Sequence, residues 1–333
     1  MEKTFFGTSK DGKEVFKYTL KNEYLTLSVM NRGATILSLI FDGTDTVLGF
    51  DTLSDYETDF LNHGATIGRV ADRIENAAFV MDGKKYELTK NSGNHCLHGG
   101  RGFNARVFDV KELRDEKITF SYTAEDGEEG FPSRLKTDVS YTLDGANLII
   151  DYKAEPEGKT PIALTNHAYF NLNGGGKVFS HEVRLYSDRY AEMTKTLVPS
   201  GKHIDVSGTD FDFRRKRKIH EGEEEDFRGY DNFYFIKSDE KKRFGDKLLT
   251  LAAEVFGEKI QLKVYTNQPG VLFYTGNYLK GPPFRGGVPE ENFMGLCLET
   301  GTEPNALNKG ETFYDKGEVY SHTSVYSFSR KDG

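Results

Sequence analysis

Asp-Gly pairs at 11–12, 42–43, 82–83, 126–127 and 144–145 punctuate this chain, and the runs between them alternate apolar with polar residues. Asp and Gly tolerate the positive φ that tight turns require, so the pairs predict reversals of chain direction. Leu25, Leu27 and Val29 share one face of a strand, and Ile118, Phe120 and Tyr122 share another; Val139, Tyr141 and Leu143 share a third, with Lys136, Asp138 and Ser140 turned away. A period of two marks half-buried strands, joined here as hairpins and meanders. Residues 244–256 fit a short amphipathic helix or a strand. The alternation of Leu249, Leu251, Ala253 and Val255, continuing through Gly257 into 260–264, favours strand. No repeat of 20–50 residues and no Pro- or Ser-rich linker divides the chain. The expectation is therefore one domain over 1–333, all-β, built as a large antiparallel β-sandwich.

Composition narrows the function classes. Hydrophobic residues at 37% and charged residues at 29%, with 25 Phe and 18 Tyr, supply a large core and argue against disorder. A formal net charge of -8 argues against a nucleic-acid partner, which selects for basic surfaces, and suits a neutral small molecule. The opening MEKTFFGTSK lacks an apolar leader, and no run approaches the roughly 18 apolar residues that span a bilayer, so a cytoplasmic protein without a membrane partner is expected. Cys96 and Cys297 are too few for a disulfide scaffold and are read as reduced. Each stands two residues before a candidate site residue, His98 and Glu299, so a strand at either place would put thiol and site residue on one face. The stretch 214–226, RRKRKIHEGEEED, changes from basic to acidic within a few residues and reads as an exposed loop.

Three segments carry chemistry. Residues 165–172, TNHAYFNL, set His167 among strand-forming residues, where a rigid sheet would aim it; residues 95–100, HCLHGG, and 297–306, CLETGTEPNA, end strand-like runs with His98 and Glu299. Histidine titrates near neutrality and so both gives and takes protons. A carboxylate inside the apolar run Leu296-Cys297-Leu298 needs a purpose or a partner, and burial there would raise its pKa toward the range of a useful base. From these residues alone three readings stay open: a metal-dependent hydrolase using His95, Cys96, His98, His167 and Glu299; a glycosidase with Glu299 and Asp231 as its carboxylate pair; and a sugar-binding module without catalysis.

The segments GRVADRI at 68–74, LHGG at 97–100, GFP at 130–132, residues 165–172, Tyr230-Asp231, residues 268–277 and Leu298-Glu299 through Ala306 occur together and in order. In these motifs, spread over most of the chain, the sequence resembles the aldose 1-epimerase (galactose mutarotase) family. The resemblance implies a β-sandwich of that family's type that interconverts the α and β anomers of a free hexose such as galactose or glucose, as a monomer or homodimer, with neither metal nor organic cofactor. It also implies roles: Glu299 as base, His167 as acid, His98 as a second donor at the ring oxygen, and Arg73, Asp231 and Gln268 as binders of sugar hydroxyls. Asp72, Asn104, Gly301 and Asn305 stand where the family pattern has Asn, Asp, Gln and Asp. Asp72 adds a negative charge beside the binding residues, expected either to raise the pKa of Glu299 or to pair with Arg73. A phosphorylated hexose or a disaccharide is the alternative substrate within the same fold.

Overall fold

The computed structural model describes residues 1–222 and 224–331. Its largest sheet has ten strands, all antiparallel, running from an edge at Asp109–Arg114 through Lys117–Ala124, Leu135–Asp144, Asn147–Pro156, Tyr320–Arg330, Ile260–Thr266, Lys247–Phe256 and Glu182–Leu185 to a second edge at Arg217–Lys218, with Lys241–Phe244 also paired to Lys247–Phe256. A five-stranded meander, Glu2–Thr8 through Thr44–Asp45, packs on it, and a further five-stranded sheet has the order Pro199–Asp205, Arg189–Met193, Asp231–Phe235, Gly270–Tyr274, Cys297–Gly301. The one α-helix among the described residues, Leu53–Thr58, is capped by the Thr52 hydroxyl, which accepts from Asp55 N–H. Among the described residues no helix is long and apolar enough to cross a membrane.

Alternation produces the layers. Leu135, Val139, Tyr141 and Leu143 are buried together with Leu20, Leu25, Leu27 and Val29 of the meander and with Val271, Phe273 and Leu298 of the third sheet, forming the main core. Asp42-Gly43 and Asp82-Gly83 turn with positive φ at both residues, +49° and +78°, then +52° and +77°, as two-residue hairpins demand. Residues 244–256 contribute to two strands, Lys241–Phe244 and Lys247–Phe256, which settles the helix-or-strand ambiguity in favour of strand. The charged stretch 214–226 is not loop throughout: Arg217–Lys218 pairs with Glu182-Val183, and the Arg217 guanidinium lies over the Phe213 ring. Glu223 within it lies outside the described residues.

The third sheet positions the site. In its strands Gly270–Tyr274 and Cys297–Gly301, Val271, Phe273 and Leu298 enter the main core, while Leu272 and Tyr274 turn to the opposite face. Cross-strand register places Leu272 against Glu299, and Tyr274 against both Cys297 and Asp231. Residues directly opposite one another share a face, so Asp231, Tyr274, Leu272, Cys297 and Glu299 project together away from the main core.

Candidate active site

Two very short strand pairs complete the cavity over that face. Arg73–Ile74 pairs with Cys96–Leu97, and the residues flanking this pair, Asp72 and His98, lock to each other: His98 N–H donates to the Asp72 carbonyl (3.0 Å) and Asp72 N–H donates to His98 Nδ1 (3.2 Å). Both residues have positive φ, +61° and +55°, conformations that Asp and His tolerate better than most side chains. The second pair, Thr66–Ile67 with Thr165–Asn166, delivers His167 one residue beyond its strand. His167 is thus held by its flanks: its N–H donates to the Ala65 carbonyl (2.9 Å) and its carbonyl accepts from Gly64 N–H (3.0 Å).

The result is a cavity open to solvent, lined at depth by Asp72, Arg73, His98, His167, Asp231 and Glu299. Leu97, Tyr169, Leu272 and Tyr274 supply apolar and aromatic walls, and the exposed rings of Phe60 and Tyr278 stand at its mouth. His167 Nε2 lies 3.5 Å from Glu299 Oε1, its Nδ1 is 3.5 Å from the Cys297 thiol, and its ring meets that of His98 edge to face at 5.1 Å. Glu299 Oε2 is buried without a hydrogen-bond partner among the described residues. Because His98 Nδ1 accepts a hydrogen bond, the ring carries its proton on Nε2 when neutral, and that nitrogen is left free to donate.

Burial sets the protonation states. It pushes Glu299 well above the ordinary carboxylate range, with the charges of Asp72 and then Asp231 adding to the rise and Arg73 opposing it. It brings His167 down to about 4, helped by His63, and takes His98 well below the usual histidine value. Asp72 rises to about 7, through burial and then Asp231, and Asp231 rises to about 6, through burial; Arg73 opposes both. Each neutral form is favoured because removing a charge from water is costly. Burial thus favours the neutral forms of both His167 and Glu299.

Six of the seven residues singled out in the sequence line this one cavity; Gln268 does not. It stands in the turn before Gly270–Tyr274, where its N–H donates to Thr266 Oγ1 (3.1 Å), and four residues, roughly 13 Å of extended chain, separate it from Leu272, the residue that faces Glu299. Strand alternation locates Leu272 once the register to Glu299 is known, and the sequence does not supply that register. Cys297 and Glu299 do share a face. Cys96 and His98 do not, because the positive φ at His98 ends the strand and Cys96 packs with Ile74, Phe79 and Phe131. His95 Nδ1 accepts from Asn76 N–H (3.1 Å) and stays outside the cavity, so the five-residue metal set is not assembled. His167, Cys297 and Glu299 do offer ligand atoms within 4.8 Å of one another, but burial holds the Cys297 thiol far above its ordinary pKa, and a protonated thiol is a poor metal ligand.

Of the departures from the family pattern, Asp72 makes no ion pair with Arg73 among the described residues and acts on Glu299 through space. Asn104 donates to Asn62 Oδ1 (2.5 Å), a residue of the cavity wall. Asn305 accepts from Glu75 N–H (3.1 Å), two residues along from Arg73. Gly301 leaves open space where a side chain would stand.

Residues 17–327 match the sequence profile of the family described as aldose 1-epimerase. The chain belongs to the aldose 1-epimerase family. It is 37% identical to a protein named galactose mutarotase from Sus scrofa, the match covering 98% of each chain, and 34% identical to a protein named aldose 1-epimerase from Escherichia coli K12, covering 96% of each. The crystal structure of a GalM/aldose epimerase homologue from C. elegans superposes with a TM-score of 0.87 at 30% identity, covering 95% of this chain and 99% of that one. Membership in this family accounts for the order of the short motifs along the chain and for the sheet that gathers them.

Proposed function

We propose that the protein is an aldose 1-epimerase that interconverts the α and β anomers of a free hexose such as galactose or glucose, with Glu299 as base and His167 as acid. The observation that carries this reading is the His167–Glu299 pair, 3.5 Å apart at the floor of a cavity lined by Asp72, Arg73, His98 and Asp231. Opening a hemiacetal ring removes the proton of the anomeric hydroxyl and supplies one to the ring oxygen. One base and one acid therefore suffice, and neither redox change nor leaving group is involved. Glu299 takes the hydroxyl proton as His167 delivers its own to the ring oxygen. The C1–C2 bond of the open aldehyde then rotates, and the two groups act in reverse on the other face of the carbonyl. His98, donating from Nε2, steadies the ring oxygen as negative charge gathers there.

Arg73 and Asp231 offer donors and acceptors to neighbouring hydroxyls, and the Leu272 and Tyr274 walls suit the C–H faces of a pyranose. A sugar phosphate fits less well. The cavity sets the carboxyl groups of Asp72, Asp231 and Glu299 against the single guanidinium of Arg73, and the basic residues 214–218 do not line it. One chain supplies every residue of the cavity, so the chemistry needs no second copy. Two buried free thiols suit a reducing, cytoplasmic setting. The test is the rate of optical-rotation decay of freshly dissolved α-D-galactose and α-D-glucose. Acceleration proportional to protein concentration supports the reading, and spontaneous rates across a panel of aldoses refute it.

A further inference from the structure

Behind the cavity runs a row of buried polar side chains that the proton transfer does not use. Tyr320, His322, Ser324 and Tyr326 alternate along the strand Tyr320–Arg330, so they project from one face of it, and all four are buried. Their partners are the two segments that carry the acid and the base. On the His167 side, His322 Nδ1 donates to the Leu164 carbonyl (2.9 Å) and Leu164 N–H donates to the Tyr320 hydroxyl (3.0 Å). On the Glu299 side, the Tyr326 hydroxyl donates to the Leu298 carbonyl (3.1 Å), and His322 Nε2 lies 2.9 Å from the hydroxyls of both Thr300 and Ser324. Thr300 follows Glu299 in its strand, so its side chain points away from the cavity and into this row.

A carbonyl only accepts, so the His322 proton sits on Nδ1. Burial brings the ring down to about 3, the bond to Leu164 opposing, and the neutral ring accepts at Nε2. One imidazole thereby bridges the two segments, its donor end on one and its acceptor end on the other. The segments also meet through the Thr165 hydroxyl, which donates to the Thr300 carbonyl (3.0 Å), and through backbone pairing of Phe170 with Leu296, three residues from His167 and from Glu299. No buried side-chain polar atom of the row lacks a partner among the described residues, and none of its residues lines the cavity. Apolar side chains would fill this part of the core without needing partners, whereas a fully satisfied polar network fixes one arrangement.

We propose that His322 is a positioning residue for the mutarotation: by tying the Leu164 carbonyl to the Thr300 hydroxyl it holds His167 and Glu299 at the spacing that proton transfer needs. This rests on the reading of His167 and Glu299 given above. Misplacing an aligned group by about 1 Å costs up to about a hundredfold in rate. Loss of core packing alone lowers stability and leaves the rate of the folded enzyme unchanged.

The experiment measures kcat, KM and Tm for Thr300→Val, Thr300→Ser and His322→Phe. Thr300→Val keeps the shape of the side chain and removes its hydroxyl; Thr300→Ser keeps the hydroxyl and removes a buried methyl group. The two orders are expected to cross. Thr300→Val lowers kcat by about tenfold with KM within about twofold and Tm close to wild type, whereas Thr300→Ser leaves kcat within about twofold and lowers Tm. His322→Phe, which keeps a ring and removes both bonds, is expected to lower kcat by about tenfold to a hundredfold. If that variant does not fold, the Thr300 pair decides. A folded His322→Phe with kcat within about twofold of wild type, or rates that follow Tm rather than the hydroxyl across the Thr300 pair, overturns the proposal. Crystal structures of wild type and Thr300→Val give a readout independent of activity: the His167 Nε2–Glu299 Oε1 distance, 3.5 Å here, is expected to change by about 0.5 Å or more, and an unchanged distance overturns the proposal. Failure of the mutarotase reading is distinguishable, since it appears as no acceleration by the wild type, while that distance still reports on His322.

Discussion

Asp72→Asn isolates one charge at the edge of the site. Asn takes the left-handed backbone conformation as readily as Asp, and both hydrogen bonds to His98 are made by backbone atoms, so the substitution leaves that lock in place. What changes is the charge that helps hold Glu299 protonated. The productive arrangement has Glu299 ionised and His167 protonated, whereas burial favours the opposite arrangement of the same single proton. Each unit by which the pKa of Glu299 falls enriches the productive arrangement about tenfold. A like charge at close range typically shifts a carboxyl group by about one unit, so the expected gain in kcat/KM is about tenfold. With Asp72 itself titrating at about 7, roughly three quarters of it is ionised at about pH 7.5 and only a few per cent at about pH 5.5. The variant should therefore outrun wild type at the higher pH, converge with it at the lower, and show its alkaline limb about one unit lower. Coupled-assay or polarimetric rates across that range supply the test. A ratio of variant to wild type that is flat with pH would refute the electrostatic route from Asp72 to Glu299.

Glu299→Gln and His167→Asn should each lower turnover by about 10²–10⁴-fold in a folded protein, the usual worth of a positioned proton-transfer group, as read by polarimetry alongside circular dichroism. Arg73→Ala should raise KM more than it lowers kcat, because the guanidinium orients hydroxyls without moving a proton, and steady-state kinetics separate the two effects. Gln268→Ala should leave both constants within about twofold of wild type, since Gln268 stands outside the cavity lining. Thermal unfolding should also respond to pH. Asp72 and Asp231 have raised folded-state pKa values, so the stability tied to their neutral forms is complete below the unfolded value of about 3.9 and is lost as pH climbs through about 6 to 7. The Tm advantage of Asp72→Asn or Asp231→Asn over wild type should accordingly widen between about pH 5 and pH 8.

Sheet content, turns and the cluster around Glu299 were legible because alternation is a local signal: residues 135–144 read as a half-buried strand, and they are one. Cys297 and Glu299 follow the same rule and share a face. The rule fails where backbone dihedrals leave the strand region. His98, at φ +55°, reaches the cavity by a turn, and His167 lies just past a two-residue strand. Both histidines line the cavity, and their support is loop geometry tied by backbone hydrogen bonds. Leu272 in place of Gln268 is a matter of register, which depends on pairing between strands far apart in sequence. Tyr169, two residues beyond His167, was within reach of the alternation argument. The approach of Glu290 to His63 was not, because more than 200 residues separate them in sequence.

The central claim is that the His167–Glu299 pair opens and closes a hemiacetal with no help from a metal or a nucleotide. Its most direct test is the decay of optical rotation of fresh α-D-galactose in the presence of a metal chelator, comparing wild type with Glu299→Gln. The account predicts concentration-dependent acceleration by wild type, unaffected by the chelator, and loss of at least about a hundredfold in the variant. Decay at the spontaneous rate with wild type across aldoses, or near-wild-type acceleration by Glu299→Gln, would contradict it.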